Sequence, residues 1–174
     1  MPRGFERNKK GGTMYYFLSI GSNLEPKLNV INIVNALLEI SPRLLISRVI
    51  ETPANGFISN HNFLNACLYV ESHLNPVELK HYCNQVESKL GRNRNDPNRA
   101  TQDHTADIDM IWALEKLKDF PPLPTENYIQ PLLLELLAFL GYSINESQPI
   151  TGIYLELNQQ PFGLKPTWIA KELL

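Results

Sequence analysis

An α+β domain built on an antiparallel sheet is what the sequence predicts, and three observations predict it. Apolar runs rich in β-branched and aromatic residues recur at 14–20, 44–52, 62–72 and 106–114. Three- and four-residue apolar spacing marks 26–40, 75–90 and 128–140. The two kinds of segment follow one another as β-α-β-β-α-β with a helix appended, which is the ferredoxin-like βαββαβ pattern: a four-stranded antiparallel sheet with both crossover helices on one face.

Each element has its own signal. "MYYFLSI" (14–20) is aromatic and branched and stops at Gly21-Ser22-Asn23, so a strand runs into a loop. Leu28, Ile31, Val34, Leu37 and Leu38 then set a helical stripe, opened near Pro26 and closed by Ser41-Pro42. "LLISRVIET" (44–52) reads as one strand ending on Pro53, and "NFLNACLYVES" (62–72) as the next. The second helix has the fullest set of signals: Asn75 as N-cap, Pro76 at the first helical position, Glu78 in the first turn, a stripe of Leu79, Cys83, Val86 and Leu90, and Gly91 beyond the end. "ADIDMIWAL" (106–114) is the last strand of the pattern, and "YIQPLLLELLAFLG" supplies the appended helix. In the tail, "GIYLEL" suggests an edge strand and "PTWIAKELL" a closing helix.

At 174 residues the chain is long enough for one domain with a core of its own, assigned here to 14–174. The basic "MPRGFERNKKGGT" before it has no apolar run of targeting length behind it and is expected to be a disordered leader, 1–13. A net charge of −2 gives no global attraction to nucleic acid or anionic lipid. An RNA-binding module on this fold would want paired aromatics on the central strands and a basic surface, so neither nucleic acid nor membrane is expected as a partner. Cys67 and Cys83 fall in strand and helix patterns and read as buried thiols of a cytoplasmic protein.

Chemistry concentrates before and within the last strand. Asp107 and Asp109 are two apart, so their carboxylates leave the same face while Ile108 leaves the other. Side by side they repel, and a hard divalent cation offsets that; Mg²⁺ commonly takes one or two protein carboxylates and fills its shell with water and substrate phosphates. Taken alone, a bare D-x-D is more often solvent-facing acids or salt-bridge partners of nearby arginines than a metal site. Upstream, "GRNRNDPNRATQDH" brings Arg92, Arg94 and Arg99 in a loop longer than a minimal connection, able to clamp phosphate oxygens. Gly21 lacks a Cβ where a ligand could approach the backbone. Thr52 and Pro53 end one strand, and Phe63 and Asn65, two apart on the next, offer a stacking surface and an amide on one side.

"YYFLSIGSNL", "ETPANGFISNHNFLNACLYVES", "ESKLGRNR" and "DIDMIW" together resemble, in order and spacing, the motifs of the 6-hydroxymethyl-7,8-dihydropterin pyrophosphokinase family of folate biosynthesis. The resemblance spans roughly 14–115. It implies a ferredoxin-like enzyme that moves pyrophosphate from ATP to the pterin hydroxymethyl group and releases AMP. It implies two Mg²⁺ ions at Asp107 and Asp109, a pterin over Gly21, Thr52, Pro53, Phe63 and Asn65, nucleotide contact by Glu87, Arg99 and His104, and lid arginines at Arg92 and Arg94. The partners so implied are the pterin and ATP, with the chain a monomer or weak dimer. His104 stands where the family usually has an arginine, Arg99 offers a partial substitute, and Thr125 and Asn127 fall near a family arginine and phenylalanine. Those departures define a second reading, a diverged paralogue with weak or no catalysis that binds a pterin or nucleotide.

Overall fold

A computed structural model describes residues 12–53, 61–92, 95, 106–142 and 150–171. Its elements are β1 (Met14–Ser22), α1 (Pro26–Leu37), β2 (Arg43–Ile46), β3 (Ile50–Thr52), β4 (Phe63–Ser72), α2 (Pro76–Lys89), β5 (Asp107–Leu114), α3 (Ile129–Phe139), β6 (Leu155–Leu157), β7 (Gln160–Phe162) and β8 (Thr167–Ala170). The leader residues 1–11 lie outside the described residues. No helix among the described residues is long and apolar enough to cross a membrane.

The main sheet runs β5-β1-β4-β2-β8, with β3 also on β4, and every pairing is antiparallel. Its first four strands have the order the ferredoxin-like pattern requires. Alternation along β1 divides the core in two. Tyr16, Leu18 and Ile20 face α1 and α2 with Val30, Ile33, Leu79 and Val86. Phe17 faces the other way, with Cys67, Tyr69, Trp112 and the α3 residues Leu132, Leu133 and Leu136. Both thiols are buried and unpaired with each other, as the sequence suggested.

The second helix starts as its sequence predicts: Asn75 Oδ1 accepts the Glu78 N–H at 2.9 Å, and Gly91 adopts φ 100° past the end. Three expectations change. The buried stripe of α1 is Val30, Ile33, Val34 and Leu37, while Leu28 is half exposed, because Asn29 turns inward to donate from Nδ2 to the Leu24 carbonyl at 2.6 Å. The stretch 44–52 is two strands, interrupted at 47–49.

The tail expected as edge strand and closing helix is instead a separate β6–β7 hairpin followed by β8, which extends the sheet beyond β2. Thr167, Trp168 and Ile169 suit a strand better than a helix. Ile169 is fully buried, and the Arg43 guanidinium lies 4.1 Å from the Trp168 ring centroid. The predicted four-stranded sheet is therefore six-stranded.

Leu133 is fully buried between α3 and the sheet. Leu133→Ala should lower unfolding free energy by about 2–5 kcal/mol with little change in denaturant slope. Urea titration followed by far-ultraviolet circular dichroism checks it.

Candidate functional site

One end of the sheet gathers the candidate residues on the face that carries α3. β1 and β3 end there, and β4 and β5 begin there. Gly21 pairs with Asn65 on one side and Asp107 on the other, while Ser19 pairs with Cys67 and Asp109. A Cβ at Gly21 would lie 2.7 Å from Asn65 Oδ1 and 3.6 Å from Phe63 Cδ1. Glycine is thus what lets the Asn65 amide lie across β1. Asn65 Nδ2 donates to Thr52 Oγ1 at 2.5 Å, fixing the amide between two strands. Thr52, Phe63, Asn65 and Gly21 are brought together as the sequence implied. Pro53, exposed, follows directly on Thr52 at the edge of this group.

Asp107 and Asp109 share that face by strand alternation, and their surroundings set them apart. Arg92, just beyond α2, donates from its guanidinium to Asp107 Oδ1 at 2.7 Å and also to Glu87, whose side chain is fully buried. One cation therefore serves two acids. Burial works against the charge on Arg92, but Asp107 and Glu87 outweigh it and hold the guanidinium more firmly protonated than usual. The Asp109 carboxyl is pushed up to about 6, first by desolvation and then by repulsion from Asp107 and Glu87, with Arg92 and Lys80 opposing. Part of the Asp109 side chain is nonetheless open to solvent, which keeps it accessible to a ligand.

Beside Asp109, between β5 and β1 and the start of α3, lies a cleft of about 330 Å³. Ser19, Asp109, Trp112, Pro122, Glu126 and Tyr128 are among its walls. Tyr128 immediately precedes α3, and its hydroxyl is held above the usual phenolic range by burial, then by Glu126, Asp107 and Asp109. Motif reading focused on Thr125 and Asn127 and passed over this residue; its signal was an aromatic placed directly before an apolar helix. Arg94, Arg99 and His104 lie outside the described residues.

Two predictions follow from this electrostatic arrangement. Arg92→Met removes the cation that buried Glu87 shares with Asp107 and should cost about 3–5 kcal/mol in chemical unfolding. The folded Asp109 carboxyl lies above its ordinary value of 3.8, so its stabilising contribution is full below about pH 3.8 and is lost as the pH rises through about 6. In chelator, Asp109→Asn should gain melting temperature relative to the parent chain between pH 4 and 6, with the gain levelling above. Parallel thermal melts across that range measure it; a constant difference would contradict the assignment.

The family model for 7,8-dihydro-6-hydroxymethylpterin-pyrophosphokinase matches residues 17–134. A Porphyromonas gingivalis protein named 2-amino-4-hydroxy-6-hydroxymethyldihydropteridine pyrophosphokinase is 33% identical over 97 residues, 55% of this chain and 66% of its own length. A Bacillus subtilis protein of the same name is 29% identical over 98 residues, covering 55% of this chain and 57% of its own. The matched region thus spans somewhat less than two thirds of these curated relatives. It contains the whole strand end on which Gly21, Thr52, Asn65, Asp107 and Asp109 meet, and on that match the chain belongs to the 7,8-dihydro-6-hydroxymethylpterin-pyrophosphokinase family.

Proposed function

We propose that this chain transfers the terminal pyrophosphoryl group of ATP to the hydroxymethyl oxygen of 6-hydroxymethyl-7,8-dihydropterin, releasing AMP, as a step of folate biosynthesis. The observation that carries this reading is the meeting of two unlike groups on one sheet face. An amide and hydroxyl fixed over Gly21 adjoin two carboxylates on the neighbouring strand. The first group suits the polar edge of a heterocycle, with Phe63 beside it for stacking. The second suits a polyphosphate carried with its cations.

The donor set fits Mg²⁺. Asp107 and Asp109 offer hard oxygens from one face, and among the described residues no cluster of three or more acidic, His or Cys side chains could hold a metal by itself. A partial protein shell completed by water and phosphate oxygens is the usual Mg²⁺ arrangement, and we assign two ions to this pair. When bound, the ions offset the charge of the triphosphate.

The side chains would do the rest by position. Thr52, Asn65 and Phe63 orient the pterin so that its hydroxymethyl oxygen meets the β-phosphorus in line. The new O–P bond forms as the bond to the AMP oxygen breaks, and the hydroxyl proton leaves to solvent. Arg92, itself bonded to Glu87, holds Asp107 in place, while Arg94, Arg99 and His104 are assigned to the phosphates and nucleotide. The cleft between Trp112 and Tyr128 adjoins Asp109, so a substrate seated there would meet the acids beside the start of α3. We place the enzyme in the cytoplasm as a monomer or weak dimer acting on small molecules; its two buried, unpaired thiols suit a reducing compartment.

AMP release from ATP and Mg²⁺ should depend on added 6-hydroxymethyl-7,8-dihydropterin. Asp107→Asn and Asp109→Asn should each reduce it by about 100-fold or more. Chromatographic quantification of AMP decides this: undiminished activity in both variants would remove the acids from the mechanism. Pterin binding by calorimetry without AMP release in the parent chain would make the protein a binder.

A further inference from the structure

The interruption between β2 and β3 changes which side chains reach the site. Ile46 pairs with Leu68 and Ile50 with Asn65, so residues 47, 48 and 49 stand opposite only Ala66 and Cys67. This is a β-bulge, and its extra residue reverses the alternation. Ile46 faces α1 and α2, whereas Ile50 faces α3. Thr52 consequently lands on the face of Asn65, and Glu51 pairs with Leu64 on the alternate position. Without the extra residue Glu51 would occupy the place of Thr52, setting a negative charge where the Asn65 amide now finds a hydroxyl.

A bulge buried this deeply needs partners for its backbone. Val49 is fully buried, and neither its N–H nor its carbonyl bonds to β4. Both go to the C-terminal segment: Val49 N–H donates to the Gly163 carbonyl at 2.9 Å, and Ile153 N–H donates to the Val49 carbonyl at 2.8 Å. Arg48 adds a clamp, donating from one guanidinium nitrogen to the Leu164 carbonyl at 3.0 Å and the Ile150 carbonyl at 3.4 Å, while Nε binds Glu135 at 2.6 Å. The approach is too close for side chains at the crossing. A Cβ on Gly152 would lie 2.2 Å from the Gly163 oxygen, and one on Gly163 only 1.9 Å from the Ile153 oxygen. Residues 150–164 also lie beyond the stretch 17–134 shared with the family model.

We propose that this C-terminal segment is a positioning element for the substrate face: by capping Val49 and being clamped by Arg48, it holds the bulge that turns Thr52 toward Asn65. Its effect is selective, acting on the heterocycle side of the site and not on the carboxylate strand. The ligand consequence rests on the pterin reading above, whereas the mechanical link between 150–164 and β3 does not.

The test compares Arg48→Met with Glu135→Gln in the full-length chain. The first removes the carbonyl clamp; the second weakens the ion pair to α3 but keeps, in the glutamine oxygen, an acceptor for the Arg48 backbone N–H that Glu135 Oε2 accepts at 3.1 Å, and leaves the clamp. Arg48→Met should weaken binding of 6-hydroxymethylpterin, followed by its fluorescence, by about 10- to 100-fold, as expected when a small displacement spoils a positioned contact. Mg-ATP affinity should stay within about twofold in both variants, and Glu135→Gln should keep pterin affinity close to that of the parent chain. Hydrogen exchange should accelerate at 49–53 in Arg48→Met and stay unchanged at 107–114. Equal loss of both ligands, loss of pterin binding in Glu135→Gln to the same degree, or unchanged exchange at 49–53 would overturn the proposal. A parent chain that binds no pterin, with exchange at 49–53 still responding to Arg48→Met, would remove the pterin reading and leave the positioning link standing.

Discussion

Alternation of side chains across the sheet, and the two places where it is broken, govern this structure. A strand has only two faces, so every residue that must reach the site has to share parity with its neighbours across the ladder. β1 supplies the reference, with Ser19 and Gly21 on the site face, which carries α3, and Leu18 and Ile20 on the face covered by α1 and α2. β5 joins it in step through Asp107 and Asp109, and then changes phase. Phe17 pairs with Trp112 while Leu18 pairs with Met110, so Ile111 is an extra residue. That bulge lets one short strand present two acids at one end and Trp112 at the other. There Trp112 stacks on Phe120 at 5.5 Å and meets Phe17 edge-on at 5.4 Å. The bulge at 47–49 makes the corresponding change before Thr52.

Charge is arranged around the same frame. Three acids, Glu87, Asp107 and Asp109, share the field of Arg92, and Lys80 contributes from α2. Glu87 and Asp107 take the direct contacts, which leaves Asp109 as the acid with an unbalanced environment. A carboxyl raised to about 6 by burial and like charge is a strained anion at neutral pH, and a cation or a donor brought by a ligand relieves it. Arg92 is therefore tied to the acids from the protein side, which differs from the free phosphate clamp that its position in "GRNR" suggests. Its pairing with Asp107 would also keep one carboxylate oriented before any cation arrives.

Local signals and nonlocal pairing explain what the sequence could tell. The cap at Asn75, the spacing in α3 and the two-residue interval between Asp107 and Asp109 depend on near neighbours, and each is realised. The meeting of Gly21, Phe63, Asn65 and Thr52 was legible because strand parity and motif order carried them together. The inward turn of Asn29 was not, since an asparagine in an apolar helix face reveals its role only through the carbonyl it meets. Nor was the break in 44–52: "LLISRVIET" reads as one strand from end to end, and only its register against β4 exposes the extra residue. "TWIAK" read as helix because β8 is a strand by virtue of the free edge of β2, which lies far away in sequence.

The division of labour between the shared domain and the tail follows from these constraints. The four strands in ferredoxin-like order suffice to place Gly21, Asn65, Asp107 and Asp109: Gly21 and Asn65 have strand partners on each side, and Asp107 and Asp109 lie on an edge strand held along its length by β1. β3 is different. It has three residues, pairs only with β4 and follows a bulge whose buried amide and carbonyl find no partner within that ladder. A strand so short contributes little to its own register, so something outside the sheet must fix it. Gly152 and Gly163 allow the tail to come close enough to do so by main-chain hydrogen bonds, which hold to a geometry more tightly than apolar packing. The least self-sufficient part of this sheet end is thereby the part to which the C-terminal segment is bonded, and variation in that segment can shift Thr52 against Asn65 while the acid pair stays where the central strands put it.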